Sequence, residues 1–121
     1  MEGFYNFFGF EAEVKNGNNG TVVTLSDDYR EIKVRNLGTK DEPDIAVFET
    51  KHPPFGFPSI TVNVENGMMH GTLGVELFMM DTPENLKKTL AKAIDGVDEG
   101  ERALKAVKEV LKRFYGIKRR N

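Results

Sequence analysis

His70 could serve as a general base, because imidazole is the one side chain whose ordinary titration falls near neutral pH. Only two histidines occur in the 121 residues. His70 follows Asn66-Gly67, a pair that signals a two-residue hairpin loop, since both central positions of a type I′ turn need positive φ. With that loop, Asn63 falls opposite His70 and Thr61 opposite Thr72, and directly opposed residues share a face. Asn63, His70 and Thr72 are therefore a ligand candidate, with Glu76 further along the same face. A solvated outer strand face accounts for the same pattern. A second grouping sets Glu49 and His52 beside the loop 51–58, KHPPFGFP. One carboxylate and one imidazole are too few ligands for a stable zinc site, so no metal site and no cofactor are expected.

The third chemical feature is charge. From residue 101 onward, eight Lys and Arg stand against Glu101 and Glu109, a balance of +6 over the last 21 residues. Lys112, Arg113, Arg119 and Arg120 could neutralise phosphates, with Tyr115 available for stacking, which makes nucleic acid a candidate partner. The same residues also suit the exposed side of an amphipathic helix whose C-terminal dipole favours cations. The whole chain carries only −2; residues 1–80 contribute −6 and residues 81–121 contribute +4.

Several classes are excluded or disfavoured. Cysteine is absent, which removes thiolate catalysis, disulfides and iron–sulfur ligation and fits a reducing compartment. The Walker-type phosphate loop, Gly-x-Gly-x-x-Gly, Gly-x-Ser-x-Gly and His-Glu-x-x-His are all missing. The opening MEGFYNFFGFEAEVK lacks a basic leader and is broken by Asn6, Glu11 and Glu13. Neither a signal peptide nor a membrane span is expected, and a cytoplasmic location is. Abundant Lys and Glu without Gln lean towards a thermophilic source, against which stand nine Asn, three of them followed by Gly.

These residues need elements to position them, and alternation with period two supplies strands as far as Met80. One long strand is expected over 4–15, with Phe4, Phe8, Phe10, Ala12 and Val14 inward and Tyr5 and Phe7 on the outer face. Strands over 21–25, 29–36 and 45–50 follow, the first three forming a meander in which Ile32 and Val34 point inward. The hairpin 59–80 then pairs Ile60 with Leu73, Val62 with Gly71, Val64 with Met69 and Glu65 with Met68. Beyond Met80 the apolar period changes to about 3.6. Thr82 and Pro83 open a helix over 83–95 with Leu86, Leu90, Ala93, Ile94 and Val97 inward, and Gly96 stops it. Asp98 and Glu101 form a capping box that starts a second helix over 99–115, whose core stripe is Leu104, Val107, Leu111 and Phe114.

The expected fold is α+β in a single domain, residues 1–121: an antiparallel sheet of about six strands over 4–80, with both helices packed on one face. The alternative is a small curled sheet or barrel wrapping the last helix, since Gly71 and Gly74 permit bends or bulges in the longest strand. Surplus apolar surface remains. Tyr5, Phe7, Phe78 and Met80 point away from the presumed helices and, with Phe55 and Phe57, mark an interface for a homodimer or a partner peptide. The functional expectation is a small non-catalytic interaction module that self-associates through this aromatic surface. A nucleic-acid-binding protein using the basic C-terminus comes second, and a ligand or enzymatic site near His70 or the Pro/Phe loop third.

Overall fold

The computed structural model describes residues 2–51, 58–74 and 94–117, residues 84, 87, 88 and 91, and the backbone of 118 and 119. The elements are β1 (Gly3–Phe7), β2 (Phe10–Gly17), β3 (Gly20–Ser26), β4 (Glu31–Asn36), β5 (Ile45–Lys51), β6 (Ser59–Glu65), β7 (Met68–Gly74), α1 (Val97–Tyr115) and β8 (Lys118–Arg119). The class is α+β, with seven antiparallel strands in two sheets and a C-terminal helix. The first sheet is a meander in the order β1-β2-β3-β4-β5, and the second runs β6-β7-β8, with the two-residue β8 parallel to β7. Among the described residues, no helix is long and apolar enough to cross a membrane.

The Asn66-Gly67 hairpin has the register expected from its turn, from Ile60 opposite Leu73 to Glu65 opposite Met68. Asn66 and Gly67 take φ of 53° and 73°, the left-handed values that a type I′ turn requires. Residues 75–80, the end of the expected strand, lie outside the described residues.

The expected strand over 4–15 is in fact two strands. Phe7 pairs with Phe10, so the chain reverses at Phe8-Gly9, where φ is 54° and 87°. The two loop residues break the alternation that a continuous strand would keep. Tyr5 therefore faces the same side as Ala12, its cross-strand partner, and Phe7 the same side as Phe10. Phe7, Phe10, Ala12 and Val14 are all buried in one core, whereas Phe4 and Phe8, expected inside, are 69% and 50% exposed.

The helical expectations also shift. Residues 84, 87, 88, 91, 94 and 95 are helical, while the rest of 83–95 lies outside the described residues. Ile94, assigned to an inward face, is 71% exposed. Helix α1 begins at Val97 after Gly96 and has no side-chain N-cap, so the Asp98–Glu101 capping box does not form. Asp98 and Glu99 instead sit in the first turn, where acidic side chains complement the helix dipole. At the other end Gly116 is left-handed, and the Ile117 N–H donates to Leu111 O at 3.0 Å. This closure turns the chain back so that Lys118 and Arg119 can pair with Met68 and Met69 of β7.

Helix α1 buries the expected Leu104, Val107 and Leu111, together with Gly100, Ala103, Ala106 and Val110. Such a wide buried face follows from its neighbours: α1 packs against β3 of the first sheet and against β6 and β7 of the second. It is shared by two sheets instead of lying across the single expected one. Gly71 permits the close approach of β7, because a Cβ there would lie 2.6 Å from Leu104 Cδ1 and 3.3 Å from Lys108 Cε.

Candidate functional site

Five charged side chains form a network around the buried Arg30 that the alternation pattern did not single out. Arg30, just before β4, is fully buried. Its Nη1 lies 3.3 Å from Glu49 Oε1 on β5, its Nε 3.1 Å from Glu99 Oε2 on α1, and its Nη2 donates to Pro58 O. Glu99 also meets Arg102 Nη2 at 3.1 Å, and Arg102 pairs in turn with Asp27. Burial by itself would raise the Asp27 pKa. Hydrogen bonds from Arg102 and from the Tyr29 and Arg30 backbone N–H groups outweigh it and hold the carboxyl below its ordinary value. Each carboxylate here is held by an arginine, an arrangement that clamps the start of α1 to the sheets. Among the described residues, no group of three or more His, Asp or Glu side chains is suited to a metal ion.

The network ends at the first hairpin. Arg102 Nη1 donates to Phe8 O at 2.9 Å, and its guanidinium lies 4.1 Å from the centre of the Phe10 ring. The loop is also closed by its own backbone, since the Gly9 N–H donates to Asn6 Oδ1 at 3.2 Å. The Phe8-Gly9 turn is thus held from the core through Arg30, Glu99 and Arg102, and it carries the exposed Phe8 side chain.

Phe8 stands at the edge of a groove of about 440 Å³ between this turn, α1 and β7. Met69 and Ile117, both buried, contribute apolar lining. Lys105, Lys108 and Lys112 contribute positive charge along one helix face, and among the described lining residues Glu109 is the one carboxylate. Glu109 is itself paired with Arg113, 3.0 Å away. The three lysines recur at i, i+3 and i+7, which spreads their charges over roughly 10 Å of helix axis. Beside Met69 runs β8, whose register places Lys118 and Arg119 next to Met68 and Met69 at the same end of the molecule. A smaller cavity of about 240 Å³, lined by Glu101, Leu104, Lys105 and Lys108, adjoins along the helix.

Compared with protein-family models, curated proteins and solved structures, the chain matches none. Function must be argued from the site itself.

The residues singled out in the sequence fall as follows. Asn63 and His70 are directly opposed, as are Thr61 and Thr72, and all four are exposed on the outer strand face. None lines the groove or the adjoining cavity. Lys112 lines the groove, whereas Arg113 is engaged elsewhere, its guanidinium 5.0 Å from the centre of the Phe7 ring. Tyr5 and Phe7 are not on an outer face; they pack on Phe114, with ring centres 5.3 Å and 6.1 Å away. Tyr115, offered for stacking, is turned inward: its hydroxyl hydrogen-bonds to the carbonyl oxygens of Thr21 and Val34, and burial pushes its pKa up to about 12. His52, Phe55, Phe57, Glu76, Phe78, Met80 and Arg120 lie outside the described residues, as do the side chains of Lys118 and Arg119.

Lys105 and Lys108 belong to the basic C-terminal stripe legible in the sequence, but the narrower set of Lys112, Arg113, Arg119 and Arg120 left them out, although their spacing from Lys112 was a helical-face signal. Sequence reasoning missed Phe8 because assigning it to a strand put it inside. Arg30 shared the inward period of Ile32 and Val34, but its partners come from distant segments.

Proposed function

We propose that this protein is a non-catalytic nucleic-acid-binding module whose contact surface is the groove between α1, β7 and the Phe8-Gly9 turn. The convergence of Lys105, Lys108 and Lys112 on one concave apolar surface carries this reading. Lysine ammonium groups are strongly hydrated point charges that neutralise phosphates without demanding a fixed orientation, and an extended groove suits a polymer of phosphates. The backbone of the basic tail at β8 leads towards the same end. Arg113 lies outside the groove lining, engaged with Glu109 and Phe7.

The test is fluorescence anisotropy of labelled single- and double-stranded oligonucleotides with the full chain across a salt series. Affinity is expected to fall steeply with salt. Replacing Lys105, Lys108 and Lys112 together by Gln should weaken binding and flatten the log–log salt slope by about 2, at roughly 0.7 per single-strand phosphate contact. Absence of binding at low salt, or a triple variant that binds like the wild type, would sink the proposal.

A second reading, self-association, is favoured by β1. It is the first strand of its sheet, pairs with β2 alone among the described residues, and exposes Phe4 at 69%. An open strand edge with an exposed aromatic is a pairing surface for a second copy. Sedimentation of wild type and of Phe4→Glu at micromolar concentrations decides it: a wild-type monomer removes the homodimer.

A further inference from the structure

Phe8 is a bulky residue at a backbone position that ordinarily selects Asn, Asp or Gly. At φ 54° it occupies the left-handed region, where an aromatic side chain is strained, and a better turn residue was chemically available. Phe8 is half exposed, so its own burial does not repay the strain, which the packing of its neighbours imposes. The position is nevertheless anchored: the Phe8 carbonyl accepts from Arg102, which pairs with Glu99, itself paired with the buried Arg30. The exposed ring borders the lysine-lined groove. A strained, anchored and exposed aromatic beside a row of cations is the arrangement that single-stranded nucleic acid uses, with backbone phosphates on the cations and an unpaired base stacked on the ring.

We infer that Phe8 is a base-stacking platform, so that the groove selects single-stranded nucleic acid over duplex and recognises a base as well as a phosphate. This rests on the nucleic-acid reading above and adds to it an aromatic contact that a duplex cannot satisfy, because its bases are already stacked. An acidic polypeptide could use the lysines but would gain nothing comparable from the ring.

The experiment uses the full chain and four probes: an oligothymidylate about ten nucleotides long, an abasic deoxyribose-phosphate strand of equal length, a duplex, and poly-glutamate. Phe8→Asn removes the ring while supplying a residue the turn prefers, so the variant should fold with an unchanged or higher thermal midpoint. It is expected to weaken oligothymidylate binding at least about five-fold, the low end for losing one base–aromatic stack, and to leave abasic-strand binding unchanged. F8W should retain binding, and because the chain has no other tryptophan its fluorescence should be quenched by oligothymidylate but not by the abasic strand.

Equal weakening of both strands by Phe8→Asn overturns the inference, as does no weakening of either. If the lysine triple variant still abolishes binding in that case, the groove stands and the stacking role alone falls. Wild type that binds no oligonucleotide, or that prefers poly-glutamate or the duplex to the single strand, also overturns it. Binding of no oligonucleotide removes the groove reading as well.

Discussion

Two of the hairpin turns of this protein, Phe8-Gly9 and Asn66-Gly67, have similar φ values and opposite sequence logic. Phe8-Gly9 has φ of 54° and 87°, and Asn66-Gly67 has 53° and 73°. At the second turn local preference and cross-strand packing agree, because asparagine tolerates the left-handed region and Val62, Val64 and Met69 share a face. At the first, packing prevails over local preference. Phe7, Phe10, Ala12 and Val14 bury together only if the chain reverses at Phe8, so the burial of several apolar side chains holds a phenylalanine in a conformation it disfavours. The difference teaches that a turn can be dictated from outside itself, and that the residue left at its tip is then available for another use.

The largest test of this comparison uses the residues that precede each turn. Phe7→Ala should destabilise the fold by about 3–5 kcal/mol through loss of buried aromatic packing. The exposed Glu65→Ala, at the equivalent place in the other hairpin, should stay within about 0.5 kcal/mol of wild type. Urea unfolding monitored by circular dichroism measures both, and similar losses would mean that the first turn is not held by core packing.

Next come the glycines. Alanine at either positive-φ position should cost on the order of 1 kcal/mol. Gly9→Ala should cost more than Gly67→Ala, because a Cβ at Gly9 would lie 3.1 Å from Arg102 Nη1, whereas nothing lies within 4 Å of one at Gly67. Equal thermal shifts would show that Arg102 does not brace the first turn in solution.

The smallest expected effect is on pH dependence. Asp27 holds Arg102, and its folded pKa is depressed, so its stabilisation is present above the unfolded aspartate pKa and is lost as pH falls through the folded value. Amide protection factors, corrected for the intrinsic pH dependence of exchange, should therefore fall on acidification at Phe8-Gly9 before they fall at Asn66-Gly67, and simultaneous loosening would contradict the asymmetry. At the alkaline end the sign reverses. Tyr115 has a raised folded pKa, so its contribution is complete below its unfolded pKa of about 10 and is lost as pH climbs to about 12.

Sequence by itself determined what depends on local chemistry and on period. The second hairpin and its register, the inward Ile32 and Val34, and the helical stripe of Leu104, Val107 and Leu111 were legible because turn preference and alternation act over a few residues. So was the basic character of the C-terminus. Tertiary structure decided the rest, because the deciding contacts join residues far apart in the chain. Phe8 reads as a buried strand residue until Phe7 is seen opposite Phe10. Arg30 has no visible role until Glu49, Pro58 and Glu99 surround it. Likewise, three lysines on a helix read as a solvated face until Phe8 from the N-terminal hairpin, and Met69 and Ile117 beneath them, turn that face into a groove.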